Sequence, residues 1–193
     1  MGMRRGQRGI GRAAAFRGGP PHAGFTLVEM LTAMAILVIV MTFAVPGLTS
    51  LQRGAELTSN ANTLLSSLTV ARAEAMKRGR NVTVTPADGS HWNSGWIVFV
   101  DDDASGAKGS DETMLSSEPA PPATISIATD PADITYLMFN GSGYPRLTNG
   151  AFQSSSIDLT HALSGDKRRI VSSPAGRLRV CKPDTSTCAT GVL

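Results

Sequence analysis

The sequence is poor in the side chains that carry catalysis or bind metals. It has three scattered histidines, His22, His91 and His161, and two cysteines, Cys181 and Cys188. No nucleophile elbow and no phosphate-binding loop accompanies them, so neither an enzymatic constellation nor a resident cofactor or metal is expected. Aromatic residues make up only 5% of the chain, and none interleaves with the basic residues near the C-terminus. That absence argues against a dedicated platform for single-stranded nucleic acid in the C-terminal segment.

Charge is missing from one stretch altogether. No side chain between Met30 and Gln52 ionises, and from Met30 to Val45 threonine is the only polar residue type. This is enough apolar length to enter a bilayer core as a helix. Acids are likewise absent from residues 1 to 24, which carry Arg4, Arg5, Arg8, Arg12 and Arg17. A basic segment ahead of the first membrane helix stays in the cytoplasm, which places the C-terminal domain on the other side. The chain has 18 Lys and Arg against 15 Asp and Glu; without the five leader arginines, 13 cations face 15 anions, a net of −2. The high whole-chain pI is therefore no argument for a nucleic-acid partner.

Glu29 breaks the pattern at the entry to the apolar run. A carboxylate in lipid costs about 2.5 to 3.5 kcal/mol at a helix centre and less nearer the interface, so it needs a partner. A signal peptide or a plain signal anchor explains the basic leader and the apolar run. Neither explains Glu29 or the glycine before Phe25, and the run ends Phe43-Ala44-Val45-Pro46 rather than in a small-residue cleavage site.

Gly24-Phe25-Thr26-Leu27-Val28-Glu29, behind an Arg-rich leader and ahead of the apolar run, resembles the N-terminal signature of type IV pilins and type II secretion pseudopilins. The resemblance implies that prepilin peptidase cuts between Gly24 and Phe25 and that Phe25 becomes the N-methylated first residue. It implies that Glu29 pairs with the free amine of a neighbouring subunit during assembly, and that Pro46 kinks the helix, as a residue without an N–H does.

Beyond Pro46 a helical period persists. Leu57, Ala61, Leu64, Leu65, Leu68, Ala71 and Ala75 form one apolar stripe, and Lys77-Arg78-Gly79 supplies last-turn cations and a terminating glycine. The spacing predicts a helix from about Phe25 to Arg78. From Asn81 the period changes to two. Strands are expected over 81–85, 96–100, 124–128, 134–139 and 157–159, with Asn140-Gly141 and Asn149-Gly150 as turns. They should form an antiparallel sheet covering the helix stripe. The spacing of Trp92, Gly95, Trp96, Phe99 and Asp101 resembles the central strand region of the GspH/FimT group of minor pilins and pseudopilins. The expected fold is thus α+β and type IV pilin-like, a long N-terminal helix packed on a C-terminal antiparallel β domain. Its parts are a cleaved leader (1–24), a membrane and assembly half-helix (25–50), an amphipathic half-helix (51–79) and a periplasmic β domain (80–193).

Two further segments invite a function. Asp101, Asp103, Ser105, Gly106 and Glu112 stand at positions 1, 3, 5, 6 and 12 of an EF-hand-like calcium loop. The preceding segment reads as a strand rather than a helix, and Lys108 stands where such loops are usually apolar, so a solvated hairpin loop is expected instead. Near the C-terminus, Lys167-Arg168-Arg169 leads through a Ser173-Pro174-Ala175-Gly176 turn to a returning strand from Arg177 to Cys181. Alternation puts Arg177 and Arg179 on one face and Leu178 and Val180 on the other. Gly176-Arg177-Leu178-Arg179 resembles the GRxR motif implicated in DNA binding by FimT-type pilins. That resemblance implies phosphate contacts from Arg177 and Arg179, with Lys167, Arg168, Arg169 and Lys182 as auxiliary charge on double-stranded DNA; the other reading is a solvated sheet edge. Cys181 and Cys188, an even pair in an extracytoplasmic domain, read as a disulfide. The sequence as a whole predicts a minor pilin or pseudopilin in the inner membrane, with prepilin peptidase and other pilins as partners. A DNA-uptake subunit is the alternative.

Overall fold

The computed structural model describes residues 24–183 and Cys188; the leader residues 1–23, with its five arginines and His22, lie outside the described residues. The chain divides into two compact units, the first ending at Phe43 and the second starting at Ala44. One helix, α1 (Leu27–Arg78), supplies residues to both.

In the first unit Thr26 caps the helix. Its hydroxyl accepts the Glu29 N–H (3.2 Å) and its carbonyl accepts the Met30 N–H (3.2 Å). Every described residue here is exposed, apolar ones included; Ile36 shows 62% of its surface and Phe43 79%. The helix is long and apolar enough to cross a membrane. The Thr32 and Thr42 hydroxyls are satisfied internally, each donating to a carbonyl of the preceding turn at 2.9 Å. These two interruptions of the apolar surface therefore do not need water.

In the second unit the helix buries the stripe its sequence spells out. Leu57, Ala61, Leu64, Leu68, Ala71 and Ala75 are fully inaccessible, and Leu65 packs at their margin. The strands form two antiparallel sheets, where alternation alone predicts a single one. Five strands, β1 (Val82–Pro86), β2 (Trp96–Val100), β3 (Met114–Glu118), β5 (Leu137–Phe139) and β6 (Pro145–Arg146), run in the order β3-β2-β1-β5-β6. Another four, β4 (Ile125–Asp130), β7 (Ser155–His161), β8 (Lys167–Ser172) and β9 (Leu178–Cys181), run β4-β7-β8-β9. Val82, Val84, Val98, Leu137 and Phe139 from the first sheet, and Ile125, Ile157, Leu159 and Ile170 from the second, share one core with the helix stripe. Each sheet thus covers part of the same stripe.

Polar bonds tie the helix to both sheets. Trp96 Nε1 donates to Ser67 Oγ at 3.0 Å, a buried pair. Glu56 accepts from the Thr124 hydroxyl at 3.0 Å and faces the buried His161 Nε2 at 3.7 Å. The sequence pattern does not predict β3, because an edge strand of sequence Met-Leu-Ser-Ser-Glu lies half in solvent and carries little apolar alternation. The strand expected over 134–139 begins only at Leu137, since the chain turns at Pro131 to Ile134 and the Ile134 carbonyl accepts Trp92 Nε1 at 3.1 Å.

Candidate functional site

The N-terminal motif is compact. Gly24 has no other group within 4 Å of where a side chain would stand, Phe25 is 73% exposed, and Glu29 lies in the first helical turn. A carboxylate at that position faces the positive end of the helix dipole, which stabilises it there. Pro46 falls inside the helix, which runs on to Arg78.

The C-terminal hairpin forms as its sequence suggests. Gly176 N–H donates to Ser173 O at 2.8 Å, closing the turn, and Ser173 and Arg177 exchange further bonds at 3.0 and 3.1 Å. Leu178 and Val180 pack against the core, which leaves Arg177 and Arg179 on the alternate side. Cys181 and Cys188 are joined in a disulfide, their Cα atoms 5.6 Å apart.

Four of the six basic residues, Lys167, Arg168, Arg169 and Lys182, line one cleft, and Arg177 stands at the turn. Arg169 stands opposite Asp158 on β7 and holds it through two bonds of 2.6 Å. That pairing raises the Arg169 pKa further and offsets its charge locally. That cleft, polar and about 300 Å³, also holds Asp158, Asp166 and Ser164 at the far end of the hairpin. Lys182 is five residues from Arg177, roughly 16 Å along an extended strand. Arg177 belongs instead with the turn. A side chain at Gly176 would meet the Gly143 carbonyl and Arg72 Nε, so the turn rests on the Asn140–Tyr144 loop and on the helix.

The acidic loop joins β2 to β3 and folds around its own carboxylates. Asp101 is wholly inaccessible rather than solvated; it accepts from Thr83 Oγ1 (2.7 Å), Ser105 N–H (3.0 Å) and Gly106 N–H (3.0 Å). Glu112 accepts from Asp102 N–H (2.9 Å) and Gly109 N–H (2.8 Å). Burial pushes the Asp101 carboxyl up, while the Ser105 hydroxyl and N–H hold Asp103 down. Oxygens of Asp101, Asp103 and Glu112 lie within 4.8 Å of one another, near enough to share a cation. Asp101 and Glu112 are already occupied by backbone N–H groups that shape the loop, which is the work the structure shows them doing.

Residues 60–176, more than half of the chain, match the family model described as type II transport protein GspH. The chain belongs to this family. Residues 20–45 match the prokaryotic N-terminal methylation motif, which covers Gly24, Phe25 and Glu29. Among solved structures, the type IV minor pilin FimU of Pseudomonas aeruginosa strain PAO1 is similar at 22% identity, with 68% of this chain and 92% of that one covered and a TM-score of 0.53. The minor pseudopilin EpsH from the type 2 secretion system of Vibrio cholerae is similar at 13% identity, with 67% and 99% covered and a TM-score of 0.50. No curated protein matches the sequence. At these identities the two structures establish the fold. The GspH-family chain thus shares their pilin-like fold, one long N-terminal helix and an antiparallel β domain, behind an N-terminal methylation motif.

Sequence spacing does not single out Arg72, Tyr144, Arg146 or Phe152. They come from the helix, the β5–β6 loop, β6 and the segment after β6, and no recognised motif links them.

Proposed function

We propose that this GspH-family subunit is cleaved between Gly24 and Phe25, N-methylated on Phe25, and held in the inner membrane by its apolar half-helix with the β domain in the periplasm. From there it is drawn into a type IV pilus or a type II secretion pseudopilus, Glu29 pairing with the terminal amine of a neighbouring subunit. The observation that supports this most is the placing of the methylation motif. It falls on a capped helix start whose carboxylate leads into an apolar surface with its threonine hydroxyls internally bonded. A lone anchor needs the apolar surface but has no use for the carboxylate.

The test is mass spectrometry of the chain recovered from membranes of cells containing prepilin peptidase. The expected N-terminus is Phe25, one methyl group heavier than the bare residue, and Gly24→Arg is expected to leave the leader attached. An N-terminus elsewhere, or one unaffected by that substitution, would refute the processing scheme.

A second reading is favoured by Arg177, which is exposed at the hairpin turn and has no carboxylate partner among the described residues. Here the same scaffold binds DNA. Such binding would be largely sequence-independent and would weaken steeply with salt. Arg177→Ala with Arg179→Ala is expected to lower duplex affinity and to flatten the plot of log affinity against log salt by about 2, near 0.9 for each phosphate no longer neutralised. An unchanged slope would dismiss this reading.

A further inference from the structure

Three arginines stand on elements linked through the Gly143–Tyr144 loop at one corner of the β domain. Arg72 lies on the helix, Arg146 in β6 and Arg177 at the hairpin turn. The first two are held by carbonyl oxygens rather than carboxylates: Arg72 Nε donates to Gly143 O at 2.9 Å, and Arg146 donates to Gly150 O at 3.0 Å. A carbonyl fixes a guanidinium in place without cancelling its charge. Among the described residues none of the three forms an ion pair, whereas Arg78, Arg80 and Arg169 all do. The Gly176 turn rests on the Gly143 carbonyl, and Tyr144 follows Gly143 directly, so the Arg177 backbone and the Tyr144 loop are neighbours.

Two aromatic rings share this corner. Tyr144 and Phe152 pack edge to face with centroids 6.1 Å apart, and the Arg146 guanidinium lies 3.7 Å from the Phe152 centroid. Tyr144 is 41% exposed and Phe152 56% exposed, large aromatic surfaces. The shortage of aromatics near the hairpin in sequence is thus made good in space, by rings from the β5–β6 loop and the segment after β6.

Arginines that keep their charge, beside exposed rings with a guanidinium laid on one of them, suit a flexible polyanion whose units carry flat faces. We infer that this corner is a stacking platform for single-stranded nucleic acid, with Arg72, Arg146 and Arg177 toward the phosphates and Tyr144 and Phe152 beneath the bases. The inference rests on the DNA-binding reading above and narrows its substrate. Duplex DNA keeps its bases stacked inside, so it would meet the arginines and leave the rings idle.

The test uses the full chain in detergent micelles, with a fluorescent oligothymidine of about 12 nucleotides, a length such surfaces can hold, and a duplex of equal length, titrated at several salt concentrations. Oligothymidine is expected to bind the tighter of the two. Tyr144→Ala with Phe152→Ala is expected to weaken it by about 10-fold or more, at about 1 to 3 kcal/mol of stacking per base, and to change duplex affinity by less than about twofold. Phe152→Leu, which keeps the apolar volume but not the ring, is expected to weaken oligothymidine alone without shifting the melting temperature. Equal loss on both probes, or no loss on either, overturns the platform while duplex binding by the arginines still stands. Failure of both probes to bind at low salt overturns the DNA-binding reading and the platform together.

Discussion

Glu29→Ala is expected to abolish incorporation into filaments while leaving cleavage after Gly24 intact. The substitution removes a charge from the first turn of a helix whose described first-unit surface is otherwise uncharged and exposed. It should therefore hold the subunit in the membrane at least as firmly, since a carboxylate entering lipid costs up to about 2.5 to 3.5 kcal/mol. On the proposed assembly scheme, what disappears is the counter-charge for a neighbour's terminal amine, an attraction that grows as the pair leaves water. The subunit should accumulate in the membrane fraction and vanish from sheared filaments. Glu29→Asp, with the charge set back by one methylene, should retain part of the incorporation, and Glu29→Gln little. Normal incorporation of the alanine variant would show that assembly is driven by the apolar surface alone.

Gly95→Ala is expected to destabilise the β domain by about 2 to 5 kcal/mol, the sum of backbone strain and overpacking. Gly95 has φ +89 and sits between the 3-10 turn Trp92–Ser94 and β2. A β-carbon there would meet backbone, at 2.7 Å from Pro119 C and 2.8 Å from Ala120 N, and backbone does not swing aside as a flexible side chain does. Moving it would disturb the end of β3 and its pairing of Glu118 with Trp96, whose side chain reaches the helix. Gly150 is the control. It has a similar φ of +81 but open space around it, so Gly150→Ala should cost only the conformational strain, about 1 to 2 kcal/mol. Chemical denaturation of the two variants against the parent protein would decide, and equal costs would mean that the approach to β3 is of no account.

The helix is readable in the sequence because burial repeats along it with the period of its own turns, and Leu57 to Ala75 carry that period without help from the rest of the chain. The N-terminal motif is readable because its parts lie within six residues, Gly24 to Glu29. What sequence does not convey is partnership across distance. Whether Val82 and Ile157 lie in one sheet or two depends on which strands pair, and alternation looks the same in both cases. Arg169 reads as a free cation until the register of β7 and β8 sets it opposite Asp158. Asp101 reads as one more acid in a solvated loop until the hydroxyl of Thr83, 18 residues earlier, is seen to bury it.

The bonds from Ser67 to Trp96 and from Glu56 to Thr124 bear on the domain's mechanics. They lie 11 residues apart on the helix, about 16 Å along its axis, one reaching β2 and the other the residue that leads into β4. A pull on the helix from its N-terminal end therefore meets two anchorages, with the stripe from Leu57 to Ala75 gripped alongside them. The load falls on all of these interactions together, as shear, and none can be peeled away before the rest. A helix clamped in this way yields late and all at once under load.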